Sequence, residues 1–277
     1  MTTAFVTGGK GFIGSCLIDA LKKIGFEVDS LGDEYFSEPS WREVLESRLE
    51  ITNPSGIFHV GACSDTLEQD VQLMMTRNFE STKVISDWCL RNNRPLIYSS
   101  SAANYGVNGQ FPSNLYGWSK YVAEQYVIKN HGIALRYFNV YGPGEEAKGN
   151  MSSFIYQAFV KNTDNSKVLL FPKTPKRDFI YIEDVVTANI YGFMNYDKLR
   201  KDYYEVSTGV ASTFEEMLNS FKIEFEYADA NSIPEGYQFY TCGDSGKWMD
   251  GWSPRYNLSQ GLKEYRQYLS ASLKKSE

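Results

Sequence analysis

The 277-residue sequence has few of the residues that usually ligate metals or form disulfides. Its histidines are His59 and His131, and neither lies at the spacing of a metal-binding pair. Its four cysteines include no CxxC pair, which is typical of reduced, buried thiols and disfavours a zinc site or a disulfide framework. We therefore predict a protein without a structural metal and with a cytoplasmic location.

Positive charge and long apolar runs are also scarce. The chain has 28 lysines and arginines against 34 aspartates and glutamates, and its net charge of −6 disfavours a nucleic-acid partner. No stretch has the apolar length of a membrane span, and no signal peptide precedes the first predicted strand. Hydrophobic residues at 42% and charged residues at 22% are typical of a globular protein of one or two domains.

The N-terminus has the pattern of a dinucleotide-binding strand, loop and helix. Residues 4–6 predict a buried parallel strand, and the glycine-rich loop GxxGxxG follows it. Gly8 permits a tight turn, Gly11 lets the backbone approach a pyrophosphate, and Gly14 lets the next helix pack closely against the strand. Residues 15–24 predict that helix, whose first N–H groups favour phosphate. A glycine-rich loop in this position is a specific signal for dinucleotide binding.

An acidic residue after the second predicted strand, residues 26–31, bears on the choice of cofactor. We expect Asp33 to bond the adenosine ribose, whereas Asp29 lies inside the strand and is the weaker candidate. The first nearby base downstream is Arg42, so the local charge slightly favours NAD over NADP.

A tyrosine and a lysine begin the helix predicted over residues 116–129. Tyr116 and Lys120 are four residues apart and share one helix face. A neighbouring ammonium would lower the tyrosine pKa and make it a usable acid or base. This spacing alone more often marks a solvated helix surface, but here it follows a serine-rich strand end at residues 99–101.

Alternating strands and helices predict an α/β fold with a Rossmann-type, doubly wound parallel sheet. We assign residues 1–140 plus 177–208 to an NAD(P)-binding domain. Residues 141–176 plus 209–277 are assigned to a smaller α/β substrate-binding cap. Within these domains we expect residues 177–182 and 204–207 to return to the main sheet. We also expect helices over 67–91, 151–161 and 213–221, the last capped by Ser212.

The glycine loop, a serine and Tyr-x-x-x-Lys occur in that order, and together they resemble the extended short-chain dehydrogenase/reductase family, the NAD-dependent epimerases and dehydratases. The similarity covers nearly the whole chain and extends to nucleotide-sugar epimerases of that family. It implies one tightly bound NAD(P) per chain, a nucleotide-sugar substrate and a homo-oligomer. The implied reaction inverts a sugar carbon by transient oxidation and re-reduction.

The resemblance also implies roles for individual residues. Ser101 would bond the reacting oxygen, Tyr116 would be one acid/base, and Lys120 would lower its pKa and hold the nicotinamide ribose. Lys148, which alone would be interpreted as a solvated loop lysine, matches a second proton-transfer residue. With the glycine loop and Asp33 included, the predicted cofactor contacts are Gly8, Gly11, Phe12, Ile13, Gly14, Asp33, Gly61, Ala62, Cys63, Ser64, Asn78, Lys120 and Val140. The implied substrate contacts are Ser101, Asn139, Asn150, Gln157, Phe171, Thr174, Arg177 and Tyr237.

Departures from the family pattern leave alternatives open. The family resemblance implies NADP, but the second strand lacks the Asp-Asn pair and the later lysines that contact it. Gln157 replaces a histidine and Asn150 replaces a serine. A 4,6-dehydratase is disfavoured because residues 102–104 contain no acid pair. A UDP-hexose 4-epimerase-like or GDP-fucose synthase-like enzyme remains open, and a non-catalytic cofactor-binding scaffold ranks low because Ser101, Tyr116 and Lys120 are all present.

Overall fold

The computed structural model describes residues 2–107, 109–233 and 237–276, and the side chains of residues 147, 150 and 273–276 lie outside that description. The strands in this part of the chain are β1 (Thr3–Thr7), β2 (Glu27–Leu31), β3 (Gly56–His59), β4 (Leu96–Ser101), β5 (Ile133–Tyr137), β6 (Asn139–Tyr141), β7 (Val168–Leu170), β8 (Lys176–Tyr181), β9 (Asp202–Val206), β10 (Ala211–Thr213) and β11 (Phe225–Tyr227). The α-helices are α1 (Phe12–Lys23), α2 (Trp41–Thr52), α3 (Val71–Met75), α4 (Ser81–Asn92), α5 (Leu115–Lys129), α6 (Phe154–Thr163), α7 (Ile182–Met194), α8 (Tyr196–Leu199), α9 (Phe214–Phe221) and α10 (Leu258–Ser276).

Six strands form one parallel sheet in the order β2-β1-β3-β4-β5-β9. Every residue of β3 and β5 is buried, as expected of parallel strands covered on both faces. The winding direction reverses at β1, because β2 pairs with one side of it and β3 with the other. Ligands of doubly wound sheets bind at such a switch point, beyond the carboxyl ends of the strands. The predicted α/β fold is confirmed.

Helices cover both faces of this sheet, and successive side chains of β1 point alternately to one face and to the other. Ala4 and Val6 belong to the core that includes Leu17 of α1 and Val185 of α7. Phe5, between them, belongs to the opposite core, which contains apolar residues of α2, α4 and α5. Among the described residues, none of the helices combines the length and the apolar character that crossing a membrane requires.

Beyond β5 the chain forms two small sheets that the sequence analysis did not separate. β8 pairs with β6 in parallel and with β10 in antiparallel orientation, so the prediction that residues 177–182 return to the main sheet is wrong. β8 contains the adjacent charged residues Arg177 and Asp178, and the small sheet provides partners for the buried carboxylate. Asp178 accepts hydrogen bonds from the Thr208 and Gly209 N–H groups at 2.8 Å each, which compensate its burial. β9 does return to the main sheet, at its edge beside β5. The two-domain division stays a prediction.

Capping side chains move three predicted helix starts. Thr213, and not Ser212, caps α9, because Thr213 and Glu216 bond each other's backbone N–H groups in a capping box. Ser153 caps α6 and Asp70 caps α3, so these helices begin after the predicted residues 151 and 67. A π-helical turn, Thr76–Glu80, joins α3 to α4.

Candidate active site

Glycine is required at two positions of the first loop, because the backbone there leaves no room for a side chain. Gly8 has a φ of +67°, and a Cβ built on it would lie 2.6 Å from the Gly61 Cα. A Cβ on Gly14 would lie 2.1 Å from the Gly8 carbonyl oxygen. α1 therefore begins directly against the carboxyl ends of β1 and β3.

The first turn of α1 opens onto this point of the sheet without a side chain that caps it. Its N-cap is Gly11, which makes no side-chain hydrogen bond, and no acidic residue lies in the first turn. The first N–H groups of the helix and the positive end of its dipole are thus available to an anion. This glycine cradle, whose close backbone approach excludes a Cβ at Gly8 and at Gly14, suits the pyrophosphate of a dinucleotide.

One cleft of about 360 Å³ joins the glycine loop to the tyrosine–lysine motif. Of the predicted site residues it is lined by Gly8, Gly11, Phe12, Ile13, Gly14, Asp33, Gly61, Ala62, Ser64, Tyr116, Lys120 and Lys148. Its other lining residues, which the sequence analysis did not predict as contacts, are Lys10, Gly32, Val60, Ser99, Ser100 and Tyr137. Of the predicted catalytic and cofactor residues, four are not among the described residues that line it, namely Cys63, Asn78, Ser101 and Val140.

Asn78 supports the cleft wall from behind. It is 1% exposed, and its Oδ1 accepts the Cys63 N–H at 2.7 Å while its Nδ2 donates to the Cys63 carbonyl at 2.9 Å. The same Nδ2 is 2.9 Å from Ser119 Oγ on α5. Because this amide bonds both backbone groups of Cys63, Asn78 fixes the loop between Ala62 and Ser64, and its role as a cofactor contact stays a prediction.

Two residues bring α5 close to the end of β4. Asn114 Oδ1 accepts the Gly117 N–H at 2.7 Å and so caps the helix. A Cβ on Gly117 would lie 2.7 Å from the Ala103 carbonyl oxygen, so a side chain there would push the helix away. This approach puts Tyr116 beside Ser101, whose side chain acts on it through a hydrogen bond.

Burial dominates the acidity of both motif residues. Burial raises the pKa of Tyr116, and the hydrogen bond with Ser101 opposes only part of that rise. Burial lowers the pKa of Lys120 to about 7, with the Glu124 charge acting in the other direction. The Lys120 Nζ lies 4.3 Å from the centroid of the Tyr98 ring. Lys120 is therefore not among the groups that lower the Tyr116 pKa in this structure, and that role of Lys120 stays a prediction.

A buried ion pair supports the strand end that carries Ser101. Glu124 is 0% exposed, and its carboxylate accepts Arg136 Nε at 2.8 Å and Nη2 at 2.5 Å. Ser100 Oγ donates to the same carboxylate at 2.6 Å, and Asn104 Nδ2 donates to it at 3.0 Å. Both carboxylate oxygens are therefore bonded, and the network fixes the end of β4 and the turn after it.

Lys148 reaches the cleft from the loop between β6 and α6. It lies in a 3₁₀ turn, Glu146–Met151, inside which Gly149 has a φ of 52°. Its Nζ is 5.6 Å from the centroid of the Phe12 ring at the start of α1. Burial lowers the pKa of Lys148, and the charge of Glu145 opposes that shift. The amine is thus partly desolvated, which is the condition for a lysine to act as a base near neutral pH.

Asp33 lies where the cleft meets β2, with two bases close by. Arg77 Nη1 is 3.6 Å from Asp33 Oδ2, and Lys10 Nζ is 2.9 Å from Glu34 Oε1. The sequence analysis predicted neither base at this position. Arg77 lies far from Asp33 along the chain, so no local sequence pattern indicates that the two residues meet. Each base already faces a carboxylate.

The residues that the sequence analysis weighed against Asp33 are engaged elsewhere. Arg42, the base expected near the ribose, instead lies 3.4 Å from Glu80. Asp29 pairs with Arg48 Nη2 of α2 at 2.6 Å. Asp33 is therefore the acid of this group that lines the cleft.

Three of the predicted substrate residues come together around an aromatic cluster. The Arg177 guanidinium is 5.3 Å from the centroid of the Tyr237 ring, and it is 9% exposed. The Tyr237 ring is 5.1 Å from those of both Phe171 and Phe239. Phe239 was missed by the sequence analysis, since two aromatic residues separated by one position predict only a strand face.

The remaining predicted substrate residues are more dispersed. Asn139 Nδ2 donates to the Asp178 carbonyl at 3.0 Å, and Gln157 Nε2 donates to the Ser152 carbonyl at 2.9 Å. Thr174 is exposed and has a φ of 44°. The side chain of Asn150 lies outside the described residues. Within the described residues, no group of three His, Cys, Asp or Glu side chains could hold a metal ion.

Comparison with known proteins assigns the chain to a family. Residues 4–206 match the NAD dependent epimerase/dehydratase family. The chain belongs to this family. The glycine cradle and the arrangement of Ser101, Tyr116 and Lys120 described above are consistent with a family that depends on NAD.

Several of the similar proteins are nucleotide-sugar epimerases. The chain is 33% identical to the ADP-L-glycero-D-manno-heptose-6-epimerase of Brachyspira hyodysenteriae, with 96% of this chain and 98% of that protein covered. The Helicobacter pylori ADP-L-glycero-D-manno-heptose-6-epimerase structure has a TM-score of 0.83 at 25% identity, covering 98% of this chain and 96% of that one. The Thermotoga maritima UDP-glucose 4-epimerase with UDP-glucose has a TM-score of 0.86 at 22% identity, covering 98% and 100%, and shows the shared fold.

Proposed function

We propose that the protein inverts C6 of an ADP-glycero-manno-heptose by transient oxidation and re-reduction of that carbon. The observation that carries this proposal is the convergence of Tyr116 and Lys148 on one cleft that begins at the glycine cradle. An epimerase that removes and restores a hydride on opposite faces of one carbon needs a proton partner on each face. The identity to heptose epimerases over nearly the whole chain supports the choice of substrate.

The chain's own residues would hold an NAD(P) cofactor at its two ends. The uncapped first turn of α1 and the contact between Gly8 and Gly61 receive the pyrophosphate, and Asp33 receives the adenosine ribose. Lys120 holds the nicotinamide ribose. When bound, the nicotinamide ring takes up the hydride and returns it.

Proton handling is assigned to three side chains. Tyr116 exchanges a proton with the reacting oxygen on one face, and Ser101 orients that oxygen by a hydrogen bond. Tyr116 lines the cleft, and its surroundings partly desolvate its hydroxyl. Lys148, whose pKa burial lowers, exchanges the proton on the other face.

The nucleotide half of the substrate is assigned to the cap. Arg177 and the ring of Tyr237 form a cationic and aromatic pair, which suits a diphosphate beside a base. Phe171 and Thr174 border the nucleotide, and Asn139, Asn150 and Gln157 are assigned to the sugar and its diphosphate. The predicted homo-oligomer and the cytoplasmic location stay predictions.

We further propose that NAD binds at least as well as NADP. Lys10 and Arg77 lie near the ribose site but each faces a carboxylate, of Glu34 and Asp33 respectively. A 2′-phosphate would have to displace Asp33 and approach Glu34, and like charges repel.

The experiment that tests the two-base assignment is Lys148→Ala, with kcat and KM measured separately. If Lys148 is the second base, kcat for inversion falls by on the order of a hundredfold or more while KM for the nucleotide sugar changes little. If Lys148 only contacts the diphosphate, KM rises and kcat at saturation is unchanged. An unchanged kcat refutes the two-base mechanism. The same assay run on ADP-, UDP- and GDP-sugars separates a heptose epimerase from a hexose 4-epimerase or a fucose-type reductase.

A further inference from the structure

The loop that carries Lys148 is held by a carboxylate buried inside it. Glu145 is 0% exposed, although glutamate is rarely buried so completely. Its Oε1 accepts the Gly142 N–H at 3.1 Å and the Ser153 hydroxyl at 2.8 Å, and its Oε2 accepts the Ser153 N–H. These three donors are neutral groups. Burial of this carboxylate is therefore compensated by hydrogen bonds to the backbone and to one hydroxyl.

These donors lie at the two ends of the loop. Gly142 directly follows β6, and Ser153 is the N-cap of α6. One side chain thus closes the loop from residue 142 to residue 153. Without it, two backbone N–H groups would be left inside the protein, each of which costs about 1–3 kcal/mol when it is unpaired.

The closed loop determines where Lys148 lies. The Lys148 N–H donates to the Glu145 carbonyl at 3.0 Å, so the lysine is the fourth residue of a turn that starts at the residue with the buried carboxylate. The preceding segment rests on α1, where Cys16 Sγ is 3.6 Å from the Pro143 carbonyl oxygen. The turn therefore carries Lys148 to the glycine cradle, with its Nζ over the Phe12 ring.

We propose that Glu145 is a positioning residue for Lys148, which acts by closing the loop that holds the lysine over the cofactor cleft. This inference rests on the proposed function, in which Lys148 is the second acid/base. Glu145 itself touches neither the cleft lining nor the Lys148 amine through any hydrogen bond described here. Its effect on the reaction must pass through Lys148, by the position of the loop and by the Glu145 charge, which raises the Lys148 pKa.

The test is Glu145→Gln, with Glu146→Gln as the matched control. Both variants remove one negative charge from adjacent residues, but Glu146 is exposed whereas Glu145 is buried. A glutamine at 145 presents an NH₂ group to N–H donors and opens the loop. We expect kcat to fall by roughly 10- to 100-fold with KM for the nucleotide sugar nearly unchanged, because displacement of a catalytic group by about 1 Å has an effect of this size. Glu146→Gln should leave both constants at the wild-type values.

A double-mutant cycle with Lys148→Ala separates the two hypotheses. If Glu145 acts through Lys148, Glu145→Gln has no further effect on kcat once Lys148 is alanine. If its effect is equally large in both backgrounds, the positioning role is refuted while the two-base mechanism stands. If Lys148→Ala alone retains the wild-type kcat, the proposed mechanism fails, whatever Glu145 does.

A second variant covers the case in which Glu145→Gln does not fold. Ser153→Ala removes one of the three hydrogen bonds, together with the side-chain cap of α6, and leaves the Glu145 carboxylate and its charge in place. We expect a smaller fall of kcat, again at nearly constant KM, and again absent in the Lys148→Ala background. Wild-type kcat in Ser153→Ala and in any folded Glu145→Gln protein overturns the proposal.

Discussion

Replacing Arg136 by methionine tests whether the buried ion pair behind the active site stabilises the fold. Arg136 is 5% exposed and donates two hydrogen bonds to Glu124, which is 0% exposed. Burial opposes the charged form of Arg136, yet the hydrogen bond and charge of Glu124 raise its pKa overall. In Arg136→Met the Glu124 carboxylate would stay buried with only the neutral donors of Ser100, Asn104 and Gln125.

The size of the effect follows from the cost of an uncompensated buried charge. Breaking a buried pair by removing one partner destabilises a protein by about 3–5 kcal/mol. In a chain of this length each kcal/mol corresponds to roughly 2–4 °C of Tm, so a fall of about 6–20 °C is expected. The double variant Arg136→Met/Glu124→Gln should be more stable than Arg136→Met alone, because no carboxylate is left buried.

Thermal unfolding followed by circular dichroism measures both values, with Arg91→Met as the control. Arg91 forms a pair with Glu46 at 3.8 Å in which both side chains are about half exposed. Exposed pairs of this kind contribute about 0–1 kcal/mol, so Tm should hardly move. A Tm loss in Arg136→Met no larger than in Arg91→Met would refute the reasoning, and so would a double variant that is less stable than the single one.

Three further predictions concern the motif and the cofactor. Tyr116→Phe should keep the fold and cofactor binding while kcat falls by on the order of a hundredfold or more, and wild-type turnover would remove Tyr116 from the mechanism. Calorimetric titration of the apoprotein should give NAD an affinity at least equal to that of NADP; a strong NADP preference would show that Lys10 or Arg77 leaves its acidic partner for the 2′-phosphate. Lys120→Met should stabilise the apoprotein below pH 7, because burial lowers the Lys120 pKa to about 7 from 10.5. Between pH 7 and pH 10.5 the unfolded wild-type chain binds one proton more than the folded chain, so the stability of the wild type rises with pH. The Tm difference between Lys120→Met and the wild type should therefore narrow as the pH rises. A constant difference from pH 6 to pH 10 would contradict this.

Local patterns predicted the elements whose causes lie within a few residues. The glycine loop is one case, because Gly8 and Gly14 are needed by contacts inside a single strand–loop–helix unit and with the adjacent β3. The strand at residues 133–137 is another, since an apolar run of this length has few other structures available in an α/β chain.

Helix boundaries were less accurate because a cap is a competition between neighbouring side chains. Ser212 and Thr213 are both good N-caps in isolation. Thr213 takes the role because Glu216 lies at the position that completes its capping box. The choice of sheet for β8 depended on still more distant partners, namely β6 and β10.

The sequence by itself determined the class of fold, the family and the kinds of side chain at the candidate site. These follow from short motifs with fixed spacings, such as the glycine loop and Tyr-x-x-x-Lys, which can be recognised without knowledge of distant contacts. Tertiary structure alone decided how those groups behave. Burial, a property of all the packed elements together, raises the pKa of Tyr116 and lowers that of Lys120, and the spacing of the two residues contains no information on it. The tertiary structure also brings Arg77 to Asp33 and closes the Lys148 loop around Glu145. These contacts could not be predicted, because they join residues that no local sequence pattern relates.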